Sequence, residues 1–194
     1  MKTRLIIWND NHNHTTGQKY AAALCERSAS CVNIQANGLD DITTQIARYQ
    51  RRGNEFSQVI IATHGTANSF QISSDNGRDP VVRVGYGAGD IPPRAFINAI
   101  NPYILPNSSL IILACQVASD GDRSIFMEDL SYYGDGPRVH FIYACTDTVF
   151  LYPDRPAATT IGSVLRLNHD RLDVVQLNIH RPNELEIDIP SYTI

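Results

Sequence analysis

The sequence predicts an α/β fold built on a central, mostly parallel sheet, with a β-rich extension at the C-terminal end. Three observations carry this. Two runs of large aliphatics, Val59-Ile60-Ile61-Ala62 and Leu110-Ile111-Ile112-Leu113, are continuous rather than alternating, as in strands covered on both faces. The chain before Gly65 reads β-α-β-α-β, which favours parallel strands joined by helical crossovers. From Thr148 onward the helical period disappears, and short β-rich segments alternate with Pro, Asn and Asp breaks.

Thr3 to Trp8 reads as the first strand, and a polar loop from Asn9 to His14 leads to a helix capped by Thr15 or Thr16 and ending near Ser30. Cys31 to Ile34 is a short strand. A second helix starts at Asp40 or Asp41, carries Ile42, Ile46 and Tyr49 at helical spacing, and stops at Gly53. The strand ending in His64-Gly65 comes next. Phe70–Ile72 and Val81–Val84 form a hairpin beside the histidine, and the glycine-rich stretch Gly85 to Asp90 is read as a connection, not a phosphate loop. Pro93 opens a helix through Phe96, Ile97 and Ile100, with Ile104 a further candidate and Pro102 bending or ending it. After the strand ending in Cys115, a helix spans about Arg123 to Tyr133, and Val139 to Cys145 is another buried strand. Val149–Tyr152, Thr160–Leu167, Leu172–Ile179 and Glu184–Ile189 complete the extension.

At 194 residues the chain is expected to be one domain, with residues 1–147 as α/β core and 148–194 as extension or flap. A formal charge of −4 gives no footprint for nucleic acid or an anionic membrane. No apolar run approaches the ~18 residues of a membrane span, so no membrane span is expected. The cysteines Cys25, Cys31, Cys115 and Cys145 are read as reduced thiols of a cytoplasmic protein, and the spacing of Cys25 and Cys31 fits no common zinc site.

Function is concentrated at two strand ends. In open α/β sheets ligands gather at the carboxyl ends of the strands. Here one such end delivers an imidazole, His64, and another a thiol, Cys115. A thiolate is the effective nucleophile, and an adjacent histidine generates it and later returns the proton. Gly65, lacking a side chain, can present its N–H together with that of Cys115 to an oxyanion. Each residue alone has an ordinary reading, a buried small hydrophobe for the cysteine and a solvated loop group for the histidine. The paired pattern is what points to chemistry.

The two blocks resemble the signature of the caspase-like cysteine peptidases, which include caspases, legumains, gingipains and separases. Ala114-Cys115-Gln116 with a histidine about 50 residues upstream matches the caspase pattern, whereas Leu113 and Val117 stand where that pattern has Gln and Gly. A nearer likeness is to the autoprocessing cysteine protease domains of large bacterial toxins and related bacterial effector proteases. It rests on Thr63-His64-Gly65, Gly85-Tyr86, the helix from Pro93, and Cys115 followed by Val117-Ala118-Ser119-Asp120. The resemblance implies a caspase-like three-layer sandwich and an endopeptidase acting on a protein or peptide substrate, or on itself. It makes His64 the base and acid, Cys115 the nucleophile, and Gly65 with Cys115 the oxyanion hole. It implies work in the cytoplasm, or in a host cytosol if the chain is a delivered effector.

The same likeness places the pocket for the substrate side chain near Thr146 and Asp147, where an acidic group would meet arginine or lysine; the other reading of Asp147 is a turn cap. No cofactor or metal is required. The toxin relatives imply an anionic activator such as an inositol phosphate, for which the C-terminal region offers Arg155, Arg166, His169, Arg171, His180 and Arg181 but no lysine. Two other function classes compete with the peptidase. One is a catalytically silent caspase-like binding or regulatory module. The other is a metal-dependent hydrolase built on Asp10, His12 and His14, whose spacing can begin a zinc site but finds no second cluster. The same Asn-His run also shares letters with HNH nucleases, which the acidic balance does not suit.

Overall fold

The computed structural model describes residues 2–9, 16–26, 30–73, 81–84, 89–119, 124–131, 139–149, 163–168 and 173–178. The strands are β1 (Lys2–Trp8), β2 (Cys31–Gln35), β3 (Glu55–Ala62), β4 (Gly65–Thr66), β5 (Ser69–Gln71), β6 (Val81–Arg83), β7 (Ile104–Leu113), β8 (Val139–Cys145), β9 (Ser163–Asn168) and β10 (Asp173–Asn178). The helices are α1 (Thr16–Glu26), α2 (Leu39–Gln50), α3 (Pro93–Ile100) and α4 (Ile125–Ser131).

Seven strands form one sheet in the order β10-β9-β8-β7-β3-β1-β2. The five from β8 to β2 run parallel, and β9 and β10 continue the sheet antiparallel at its other end. The mixed α/β, mostly parallel architecture is therefore as expected. Alternate residues of each strand enter two separate cores. Leu5, Ile7, Val59, Ile61, Leu110 and Ile112 pack with α2, α3 and α4, through side chains such as Ile42, Phe96 and Phe126. Ile6, Trp8, Ile60, Ala62, Ile111 and Leu113 pack with Tyr20, Ala21 and Leu24 of α1. Helices on both faces are the physical reason that β3 and β7 read as unbroken aliphatic runs.

A smaller sheet, β4-β5-β6, caps the carboxyl end of β3. It is tied down by Phe70 of β5, whose ring meets Phe96 edge-on at 5.2 Å and Phe126 at 5.9 Å. Main-chain bonds finish the attachment: the Gly38 N–H donates to the Ile72 carbonyl at 2.6 Å, and the Asn9 side-chain amide donates to that of Ser73. The hairpin of β5 and β6 is the expected one; the two-residue strand β4 was not expected.

Three further expectations need correction. The helix from Pro93 ends at Ile100, followed by a 3-10 turn over Asn101–Tyr103, and Ile104 already belongs to β7, opposite Phe56. The register with β3 then slips so that Gln58 faces Ser109, and Asn107 takes a left-handed φ of 60°. Pro106 sits inside this irregularity, where its missing N–H breaks no regular ladder. Val149 is not in a strand. Lastly, Cys25 and Cys31 are joined in a disulfide with Cα atoms 5.1 Å apart, not reduced. The end of α1 and the start of β2 bring the two thiols together, which spacing alone did not reveal. The cytoplasmic expectation loses the support it drew from this pair. Closing so short a loop is worth about 2 kcal/mol through the unfolded chain, so reductant is expected to lower the unfolding free energy by that amount. An unchanged denaturant midpoint would contradict the bond.

Asp10, His12 and His14, the segment Gly85 to Ala88, and Glu184–Ile189 lie outside the described residues. Among those described, no helix is long and apolar enough to cross a membrane.

Candidate active site

β3 and β7 are neighbours in register, with Ala62 opposite Leu113. The ladder ends at that pair, and just beyond it Gly65 comes up against Ala114 and Cys115. The two blocks singled out in the sequence thus leave neighbouring strands, with Cys115 packed against the core that α1 covers.

The β4–β5 hairpin, entered directly after His64, holds this junction together. The His64 carbonyl accepts a hydrogen bond from the Gln71 N–H at 2.9 Å, and Gly65 pairs with Phe70. In an antiparallel ladder, hydrogen-bonded and non-bonded pairs alternate. Since the pair 64–71 is bonded, Gly65 falls in a non-bonded pair, and its N–H points out of the ladder. A Cβ built at Gly65 would lie 2.8 Å from Ala114 Cβ, 2.8 Å from the Cys115 carbonyl oxygen and 3.0 Å from the Cys115 nitrogen. The glycine is required by this close approach to the Ala114-Cys115 main chain.

Cys115 begins a tight turn. Gln116 adopts a left-handed φ of 56°, uncommon for a residue with a side chain. Its N–H donates to the Asp147 carbonyl at 3.0 Å, and the Ala118 N–H donates to the Cys145 carbonyl at 2.9 Å. The turn is pinned to the end of β8, which over-determines the strained residue. Cys115 is half-buried; its Sγ accepts from the Val149 N–H at 3.4 Å and faces the Val149 carbonyl at 3.8 Å. His64 is exposed. The thiol therefore rests against the main chain after β8.

Beneath it lies Cys145, fully buried, with its Sγ 3.3 Å from the Ile112 carbonyl. Burial pushes its thiol far above the ordinary range, and the neighbouring Cys115 adds to this, only partly offset by the main chain at Ala114. Cys145 thus stays protonated and inert across the working pH range. Alkylation of the native protein is expected to label Cys115 alone; denaturation without reductant is expected to add Cys145, and reduction to add Cys25 and Cys31. Native labelling of Cys145 would contradict this.

Of the expected pocket residues, Thr146 is half-buried and Asp147 is exposed, its Oδ1 accepting from the Thr148 N–H at 2.7 Å. Asp147 caps its own turn. A cavity of about 150 Å³ is lined by His64, Gly65, Thr66, Ser69, Gln71 and Arg83 among others. Arg83 and Val149 were missed in the sequence. The period-2 pattern of the β5–β6 hairpin placed Arg83 near the histidine, but nothing local signals which main chain a thiol will meet.

Among the described residues, no three His, Cys, Asp or Glu side chains are grouped to hold a metal ion. Of the basic groups proposed for an anionic activator, Arg166 is described; its guanidinium lies over the Phe141 ring at 5.2 Å. Compared with known proteins, the chain matches no family model and no curated protein.

Proposed function

We propose that this chain is a cysteine endopeptidase of the caspase-like type, with His64 and Cys115 as its dyad. The observation that carries the reading is the emergence of His64-Gly65 and Ala114-Cys115 from adjacent, in-register strands, with Gly65 packed on the Cys115 main chain. In the proposed reaction Cys115 Sγ attacks the carbonyl carbon of the scissile peptide as its proton passes to His64. The N–H groups of Gly65 and Cys115 hold the oxyanion of the tetrahedral intermediate. Collapse breaks the C–N bond, His64 protonates the departing amine, and a thioester is left on Cys115. His64 then takes a proton from water, which hydrolyses the thioester and frees the thiol. The two-member dyad needs no third side chain, and none is assigned.

The test is turnover of a quenched fluorescent peptide library by the full chain. Hydrolysis that disappears when Cys115 is changed to Ala is the expected result. A library left intact by wild-type protein, with a Cys115 no more reactive than a free thiol, would favour the silent binding module.

A further inference from the structure

We propose that the main-chain N–H of Val149 is a positioning group for the Cys115 thiolate, held ready to receive the negative charge that forms on Sγ when its proton leaves. This deepens the reading of Cys115 as a nucleophile and rests on it.

Two polar groups of one residue face the sulfur. The Val149 N–H donates to Sγ at 3.4 Å, and the Val149 carbonyl oxygen lies 3.8 Å from it. The two respond oppositely to the proton. A thiol has one hydrogen to offer the carbonyl and is a weak acceptor for the N–H. A thiolate has no hydrogen to offer, is repelled by the carbonyl oxygen, and binds the N–H roughly twice as strongly as a neutral acceptor does. Loss of the proton therefore shifts the balance toward the N–H.

The donor is fixed before any charge appears. Val149 is 9% exposed and belongs to the core that α1 covers. The segment leading to it is tied down at three points. Its Cys145 carbonyl accepts from the Ala118 N–H at 2.9 Å, its Asp147 carbonyl accepts from the Gln116 N–H at 3.0 Å, and its Thr148 N–H donates to Asp147 Oδ1 at 2.7 Å. An N–H held in this way needs no reorganisation as the charge forms, the condition under which a dipole stabilises it most.

Among the described residues, the ionisable neighbours do not take over this task. Cys145 stays a neutral thiol through burial. The Asp147 carboxylate is exposed and accepts from its own turn. Helix α1 faces this core with Ala21, Leu24 and the phenol of Tyr20, and β9 faces it with Val164. Cys25 and Cys31 are joined to each other. His64, exposed after the neighbouring strand, is the proton acceptor of the proposed dyad, which is a separate role.

The test compares Val149→Pro, which lacks the N–H, with Val149→Ala, which keeps it; both lose the native side chain. Alkylation of native Cys115 by iodoacetamide at neutral pH is expected to be roughly 10-fold slower in Val149→Pro than in Val149→Ala, as for loss of a hydrogen bond to a charged group. The gap is expected to close at alkaline pH, where the thiol is ionised in both variants, which a purely steric role would not produce. Equal rates at neutral pH, or a gap that persists in alkali, would overturn the proposal.

A second measurement needs no substitution of Val149. In isotope-labelled wild type, the NMR signal of the Val149 amide proton is expected to shift over the pH range in which Cys115 alkylation accelerates, and this step is expected to vanish in Cys115→Ala. An amide that does not respond to ionisation of Cys115 counts against the proposal, even where Val149→Pro fails to fold. Both readouts follow the sulfur and not turnover. A responsive amide with an uncut peptide library removes the peptidase reading alone, and Cys115-dependent cleavage with a silent amide removes this proposal alone.

Discussion

Changing Cys115 to Ala is expected to abolish peptide hydrolysis, and changing His64 to Ala to lower kcat by roughly 10²- to 10⁴-fold. The first removes the nucleophile, so no thioester forms. The second leaves a thiol without its proton acceptor and the departing amine without its donor, a loss of the size usual for general acid–base groups. His64→Ala leaves both cores untouched, and Cys115→Ala removes one sulfur from the edge of the core that α1 covers. His64 is exposed and Cys115 half-buried at the strand end, so His64→Ala is expected to unfold within about 0.5 kcal/mol of wild type and Cys115→Ala within about 1 kcal/mol. Steady-state kinetics with a denaturant curve on the same samples checks this. Loss of activity with unchanged stability assigns the residues to chemistry. Equal activity in the His64 variant would remove it from the reaction.

Gly65→Ala is expected to damage both structure and activity. The added Cβ meets Ala114 Cβ and the Cys115 carbonyl at 2.8 Å, closer than such contacts occur. Neither neighbour is a flexible side-chain tip: one is a methyl on a buried strand end, and the other is main chain pinned through Gln116 and Ala118 to β8. The strain therefore goes into moving the His64-Gly65 segment away from Cys115. We expect a loss of about 1–3 kcal/mol in stability, as for other overpacked sites. We also expect a fall on the order of 100-fold in kcat, because a displacement of about 1 Å misplaces an oxyanion donor. A variant with normal stability and normal kcat would mean that this close approach plays no part in catalysis.

The strand ends were legible in the sequence because helices cover both faces of the sheet, so the β3 and β7 runs had to be continuously apolar and their endings stood out. Their adjacency was not legible; that comes from pairing register, which no local pattern encodes. The start of β7 was hidden for a local reason, since Pro102, Pro106 and Asn107 look like a broken helix end yet are accommodated by the slip between β3 and β7. The Cys25–Cys31 bond was missed because its two residues belong to different elements that meet only in the fold. For Asp147 the sequence left two readings open, a pocket for a basic side chain and a turn cap. The same residue type that suggested a basic pocket accepts a hydrogen bond from the next N–H along the chain. The residue of opposite charge, Arg83, lines the cavity beside the histidine.

The central claim is that His64 activates Cys115 although the thiol here rests against Val149. The most direct measurement is the rate at which a peptide-like thiol electrophile adds to Cys115, followed by intact mass in wild type, His64→Ala and Cys115→Ala. The account predicts one rapid adduct in wild type, slow addition at the same residue in His64→Ala, and none in native Cys115→Ala. Equal rates for wild type and His64→Ala, both matching a free thiol, would contradict it.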